Sequence, residues 1–302
     1  MFTTYVPIGR LINSYGINHY KYADDTQAYT ALVKPPENDL QRLESCTAGL
    51  QHWFWENDLL LNSDKSEVCF FGTGQQLSRT PLPSTVTVAG YLITMSDKPK
   101  TRCVTLDAVL TFENYVNNVA KACNFHMWGL RHIRRSISRD VANAMAACIV
   151  GIRLNCWNAL LYGATEKSLN KLQIVQNKLA RVVCNVTSRQ QLIIDLLRNL
   201  QLLLIRSRIT FKVATLCNKA YQLHQPSYLL DTQEPYVPCR GLRSAEIDLL
   251  AVPRSRNKTA SRHFSSAAPT VWNGLPLSIR NTDSIVTCKS HLKTHTYSIL
   301  TF

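Results

Sequence analysis

From position 116 to position 182 apolar residues recur at spacings of three and four, a period that only α-helices turn into a continuous face. The first stripe runs through Val116, Val119, Cys123, Met127 and Leu130. A second follows Ser138 as N-cap through Val141, Met145, Ile149 and Ile152, and a third follows Thr165 through Leu169, Leu172, Val175, Leu179 and Val182. Stripes of this kind are packing faces, so this part of the chain must form layered helices. The residues ahead of it obey another period. Strand-like runs at Gly16 to Lys21 and Thr26 to Leu32 flank the turn Tyr22-Ala23-Asp24-Asp25, and Pro35-Pro36 ends the second run. A helix follows through Leu40, Leu43, Thr47, Leu50 and Phe54, with Asn38 or Asp39 as N-cap. Val68 to Phe71 reads as a short buried strand closed by Gly72. The class is therefore α+β, with short β elements and a covering helix first and helices afterwards.

Four segments result. Residues 1–75 are β-rich, 76–110 form a Pro-, Ser- and Thr-containing connection with β-prone runs at Val86 to Ile93 and Cys103 to Leu106, 111–225 are helical, and 226–302 read as a basic, loop-rich tail. Charge divides along the same line. Residues 1–100 carry 8 Lys or Arg against 10 Asp or Glu, a net of −2, leaving 26 against 10, or +16, for residues 101–302. Phosphate neutralisation by Lys and Arg dominates sequence-independent nucleic-acid affinity, so the second part suits a polyanion, although a solvated basic surface has the same composition.

The cations fall in groups. Arg131, Arg134 and Arg135 close the first stripe, where the helix dipole alone can account for them. Lys167, Lys171, Lys178 and Arg181 line the third, and Arg206, Arg208 and Lys212 extend the basic surface. His263, Phe264 and Trp272 could stack on bases or pin loops to the helices. The ten cysteines include no Cys-x-x-Cys pair, which speaks against a zinc site and for a reducing, intracellular setting. Val141 to Ile152 is too short for a membrane span, and Leu192 to Ile205 is interrupted by Asp195 and Arg198. Gly-rich phosphate loops and the common hydrolase motifs are absent from the sequence.

The acidic turn is the constellation that looks catalytic. Adjacent carboxylates repel unless a cation neutralises them, so Asp24 and Asp25 point to a divalent metal, while an Asp pair is also ordinary turn chemistry. In company with its neighbours the turn becomes more specific. The run ending Gly16-Ile-Asn-His-Tyr-Lys-Tyr-Ala-Asp-Asp25-Thr-Gln resembles the active-site hairpin of reverse transcriptases from non-LTR (LINE-type) retrotransposons, nearest the jockey and chicken-repeat lineage. Trp53 to Phe71, WFWENDLLLNSDKSEVCFF, is similar to the family's next palm motif. Leu110 to Arg135 and Leu160 to Val183 resemble its helical thumb, and Gly241 to Arg256 with Phe264 to Arg280 resemble its carboxy-terminal tail.

The resemblance implies a partial palm at 1–75, a primer-grip-like segment at 76–110 and a thumb at 111–225. Asp24 and Asp25 would then be two of three carboxylates for the Mg²⁺ ions of polymerisation, Tyr22 would pack beside the primer end, and Lys65 would assist the departing pyrophosphate. Its partners would be an RNA template and a DNA primer or hybrid, with dNTPs as the small-molecule substrate and no membrane. The family's first catalytic carboxylate and its fingers have no counterpart in these residues, so an isolated chain is expected to be inactive. Arg102-Cys103 stands where relatives have a Leu-Gly turn, and loss of that glycine burdens the primer-gripping hairpin.

Overall fold

Six short strands and thirteen helices follow one another in the described part of the chain. The structure, a computed structural model, describes residues 6–23, 25–33, 35–186, 191–238, 249–255, 257–282 and 284–299. It is α+β, and the chain divides into two compact units, Met1–Leu110 and Thr111–Phe302.

The first unit opens with α1 (Val6–Ser14), which ends as Gly16 takes a positive φ of 68° and its N–H returns to the Asn13 carbonyl. Glycine is the residue that adopts this left-handed helix end without strain, so the first strand starts two residues later than the apolar pattern suggests. Strands β1 (Asn18–Tyr22) and β2 (Asp25–Tyr29) pair antiparallel, with Asn18 opposite Tyr29, Tyr20 opposite Gln27 and Tyr22 opposite Asp25. Ala23, directly after Tyr22, takes a positive φ of 53°.

Helix α2 (Glu37–Glu56) starts at Pro36, whose ring fixes the entry φ at −74°, rather than at Asn38 or Asp39. The Asp39 carboxylate lies inside the first turn and accepts from the Val33 N–H at 2.7 Å and from Arg42 at 2.6 Å, tying the incoming chain down. Ile8, Ile12, Ile17, Cys46 and Leu50 form the core, with Ala28 of β2 and Trp53 and Phe54 of α2 packed against them. Approach is close enough that a Cβ on Gly9 would come within 2.8 Å of the His19 ring.

Val68 to Phe71 is not a strand. Val68 makes one parallel bridge to Met95 and accepts from the Ser96 N–H, and pairing stops there. Beyond α3 (Gly74–Arg79), strands β3 (Thr85–Val88) and β4 (Tyr91–Thr94) already satisfy each other, and so do β5 (Lys100–Thr101) and β6 (Val104–Thr105). The β-structure is thus three separate two-stranded sheets among the described residues. Glu44 and Thr47 of α2 accept from the Thr87 and Ala89 N–H groups, fastening β3 to the helix.

In the second unit α4 (Glu113–Ile133) buries Val116, Cys123, Met127 and Leu130 of the expected stripe, while Val119 is half-buried and Ala120 beside it takes the inward place. Ser138 caps α5 (Arg139–Ala146) by accepting from the Val141 N–H, but the buried face is shifted by one residue from the expected stripe. Ala142, Ala146, Val150 and Leu154 point inward, because small alanines let neighbouring helices approach, while Val141 and Ile152 are exposed. A wide π-type turn at Ala147–Gly151 joins α5 to α6 (Ile152–Asn155) and leaves Cys148 exposed.

Thr165 caps α7 (Glu166–Val183), and α7 runs parallel to α4 in register. Glu113 meets Lys167 at 3.4 Å, Asn117 meets Lys171 at 2.5 Å, and Arg134 beyond the end of α4 donates to the Val183 carbonyl at 2.8 Å. After α8 (Ile193–Asn199), Gln173 and Gln176 of α7 bond the Ile205 N–H and the Leu203 carbonyl at 2.9 Å, setting where α9 (Ile205–Leu223) begins.

The segment 226–302 is more helical than its sequence suggests. It holds α10 (Ser227–Leu230), α11 (Phe264–Asn273), α12 (Leu277–Arg280) and α13 (Ile285–Ile299). Val213, Ala214 and Cys217 of α9 share a core with Ala268, Val271 and Trp272 of α11 and with Cys288 and Leu292 of α13. Trp272 is 1 % exposed, so it is a core residue and no stacking surface. Segments 111–225 and 226–302 therefore belong to one unit, with α9 at its core. No described helix is long and apolar enough to cross a membrane.

Candidate functional site

Strand alternation places Asn18, Tyr20, Tyr22, Asp25, Gln27 and Tyr29 on one face of the β1–β2 hairpin, since directly paired residues share a face. The opposite face carries Ala28 against the core and Lys21, whose ammonium is pushed below its ordinary value by burial. Tyr22 and Tyr29 are 60 % and 57 % exposed, large apolar rings held open at the hairpin. Asp25 is exposed opposite Tyr22 at the tip. Asp24, the other expected carboxylate, lies outside the described residues.

The second hairpin, β5–β6, leans on this face. Its two-residue loop is Arg102-Cys103, with φ of 44° and 67°, the doubly positive pattern of a type I′ turn that Asn-Gly favours. The turn forms although neither residue is glycine. The Arg102 guanidinium lies 3.9 Å from the Tyr22 ring centre and 4.8 Å from that of Tyr20, and it donates to the Tyr20 hydroxyl at 3.3 Å. Gln27 bonds the Thr101 hydroxyl at 2.5 Å, so three side chains lock the hairpins together. A permanent cation thereby sits beside the acidic tip, where charge–ring attraction holds it. The sequence marks this arginine as a departure from a pattern, and gives no hint of the contact.

Carboxylate oxygen is the donor Mg²⁺ prefers, so Asp25 has suitable chemistry. Its number of companions does not suffice: the described residues contain no group of three or more His, Cys, Asp or Glu able to hold a metal ion. A complete two-metal site does not fit the described residues.

Lys65 ends a 3₁₀ turn, Ser63–Lys65, capped by Asn62, whose side chain accepts from the Asp64 and Lys65 N–H groups. Its ammonium is exposed and makes no ion pair among the described residues, whereas Glu67 accepts from the Lys100 N–H at 2.9 Å. Neither Asp64 nor Glu67, its nearest acids in sequence, forms an ion pair with it.

The basic residues of the second unit separate into committed and available groups. Arg134 donates to the Val183 and Ile137 carbonyls, closing the ends of two helices. Arg208 bonds the Leu203 carbonyl and Asn155, and burial pushes its guanidinium below the ordinary value against the opposing pull of Tyr297. It therefore does not extend the outer basic surface as its sequence position suggests. Arg206 pairs with Glu166, Lys167 with Glu113 and Lys171 with Asn117. Lys178, Arg131 and Arg135 are exposed and make no ion pair among the described residues; Arg181 is half-buried. Beside Arg131 and Arg135 the α4 surface presents Phe125 and Trp128, 71 % and 65 % exposed. Sequence reasoning missed both, although their positions off the apolar stripe of α4 were the available signal.

Comparison of the chain with family models, with curated proteins and with solved structures yields no match.

Proposed function

We propose that the chain carries the acidic hairpin and the basic helical region of a non-LTR retrotransposon reverse transcriptase, and that by itself it holds RNA or an RNA/DNA hybrid without polymerising nucleotides. The observation that carries this reading is the strand–turn–strand at Asn18–Tyr29, with Asp25 opposite Tyr22 at its tip, at the residues whose sequence resembles the polymerase motif. The net charge of +16 on residues 101–302 supports the binding half.

In this reading Asp24 and Asp25 supply part of a Mg²⁺ carboxylate set, and the remaining carboxylate and the dNTP grip come from residues outside these 302. Lys65, exposed and in no ion pair among the described residues, would meet a phosphate, and Tyr22, also exposed, would lie beside the primer end. In-line phosphoryl transfer needs both the attacking and the leaving oxygen held by cations, which one carboxylate pair cannot arrange. The binding role needs no metal.

Two measurements on the purified full chain test this. With a primed RNA template, dNTPs and Mg²⁺, the chain alone should incorporate nothing, and incorporation lost in Asp25→Asn would overturn the inactive half. Hybrid binding should weaken steeply between about 50 and 200 mM salt, and equally so in Asp25→Asn. Salt-insensitive binding, or none, would remove the reading altogether.

A further inference from the structure

Helix α4 presents two faces of opposite character. The inner face is fully occupied by Val116, Ala120, Cys123, Met127 and Leu130, all within the unit core. On the outer face Lys121, Phe125, Trp128 and His132 follow at spacings of four, three and four, with Arg131 alongside and Arg135 just past the helix end in the 3₁₀ turn Arg134–Ser136. All six are exposed. The Trp128 and His132 rings lie 4.1 Å apart, and the His132 ring is anchored by its Nδ1 at 2.8 Å from the Trp128 carbonyl oxygen. No ion pair or hydrogen bond engages Lys121, Arg131 or Arg135 among the described residues.

The electrostatic setting is one-sided. From Asn114 to Arg139 the chain has no Asp or Glu, and its bounding acids are Glu113 at the far end of the helix and Asp140 on α5. Two large rings kept in water, on a helix whose other side already has its core, are not explained by folding. Interleaved with cations and an imidazole, they form a row of flat surfaces flanked by positive charge. That combination matches one chemistry: unpaired nucleobases offer faces for stacking, and the strand joining them carries a phosphate for each cation. Duplex offers the phosphates but buries the base faces. A lipid surface would be met by only two large apolar side chains, without the broad apolar face that interfacial helices insert.

We infer that the outer face of α4 is a single-strand nucleic-acid platform, on which Phe125, Trp128 and His132 stack bases while Lys121, Arg131 and Arg135 neutralise the backbone. The inference rests on the nucleic-acid reading proposed above and narrows it: this face takes the unpaired part of the nucleic acid, not the hybrid.

Fluorescence anisotropy on the full chain, with a labelled 20-nucleotide oligo(U) and a labelled 20-base-pair RNA/DNA hybrid, tests it. Trp128→Ala should weaken oligo(U) about five- to a hundredfold, the loss of one stacked base, and leave the hybrid within about twofold. Trp128→Phe, which keeps a ring, should recover most of the loss. Arg131→Ala with Arg135→Ala should weaken oligo(U) and lower the slope of its salt dependence by about two charges. Both side chains are exposed, so folding of each variant is checked by an unchanged circular-dichroism melt.

If wild type binds the hybrid or oligo(U) and Trp128→Ala changes neither, the platform is refuted while the polymerase-fragment reading stands. If wild type binds neither, both fail. Binding to anionic phosphatidylserine vesicles that Trp128→Ala abolishes, with oligo(U) affinity unaltered, would make the face a membrane contact and also overturn the inference.

Discussion

Replacing Cys103 by glycine should make the β5–β6 hairpin harder to open. Its loop holds Arg102 at φ 44° and Cys103 at φ 67°. A left-handed backbone costs an L-residue roughly 1–2 kcal/mol, which glycine avoids. Glycine in turn loses about 0.5–1 kcal/mol more conformational entropy on ordering, leaving a net gain of about 0.5–1 kcal/mol. At 1.4 kcal/mol per factor of ten, local opening falls about two- to fivefold. Hydrogen exchange followed by mass spectrometry over a peptide spanning Pro99–Leu106 reads that factor directly.

Arg102→Gly is the internal control. It relieves strain at the neighbouring position but removes a guanidinium stacked on Tyr20 and Tyr22, each contact worth about 0.5–1 kcal/mol at exposed sites. Exchange should therefore slow in Cys103→Gly and stay level or quicken in Arg102→Gly. Unchanged or faster exchange in Cys103→Gly, or identical behaviour of the two variants, would refute both the strain and the stacking argument.

Other outcomes follow from the second unit. Trp272→Ala should destabilise by about 3–5 kcal/mol, seen as a large drop in the urea midpoint, because the side chain is 1 % exposed at the centre of the α9–α11–α13 core. Thr165→Ala should remove about 1 kcal/mol by freeing the Ser168 N–H at the start of α7, measured in the same titration. Burial, with Cys288 nearby, pushes the Cys217 thiol up to about 12 from 9.0, so the folded state keeps a proton that the unfolded chain loses. Stability should be highest below pH 9 and decline as pH rises towards 12. Cys217→Val should flatten that decline in melts taken across the range.

Much of the helical part is legible because caps and periodicity are local properties. Ser138 and Thr165 cap α5 and α7 as read, and four of the five residues of the α4 stripe are buried, Val119 giving way to Ala120. The hairpin is legible for a similar reason, since a turn dipeptide between two β-prone runs leaves little choice. Val68 to Phe71 fails because strand existence depends on a partner with free hydrogen-bonding groups, and β4 already has β3. Trp272 resolves to the packing side of its two readings, and Arg208 leaves the basic surface, for a different reason: composition reports how many rings and charges a segment has, while packing decides which are consumed indoors. Arg134 is the clearest case, a cation that reads as surface charge and serves two carbonyls. Phe125 and Trp128 are the converse, apolar letters whose meaning appears once the core is seen to be full without them.

Because α4 and α7 lie side by side with matching ends, their peptide dipoles add instead of cancelling. Glu113 and Glu166 tip one pole, and Arg131, Arg134, Arg135 and Arg181 gather at the other. The helix pair is electrically a bar with a direction, and the full unit charges at its ends outweigh the half-unit poles they cap.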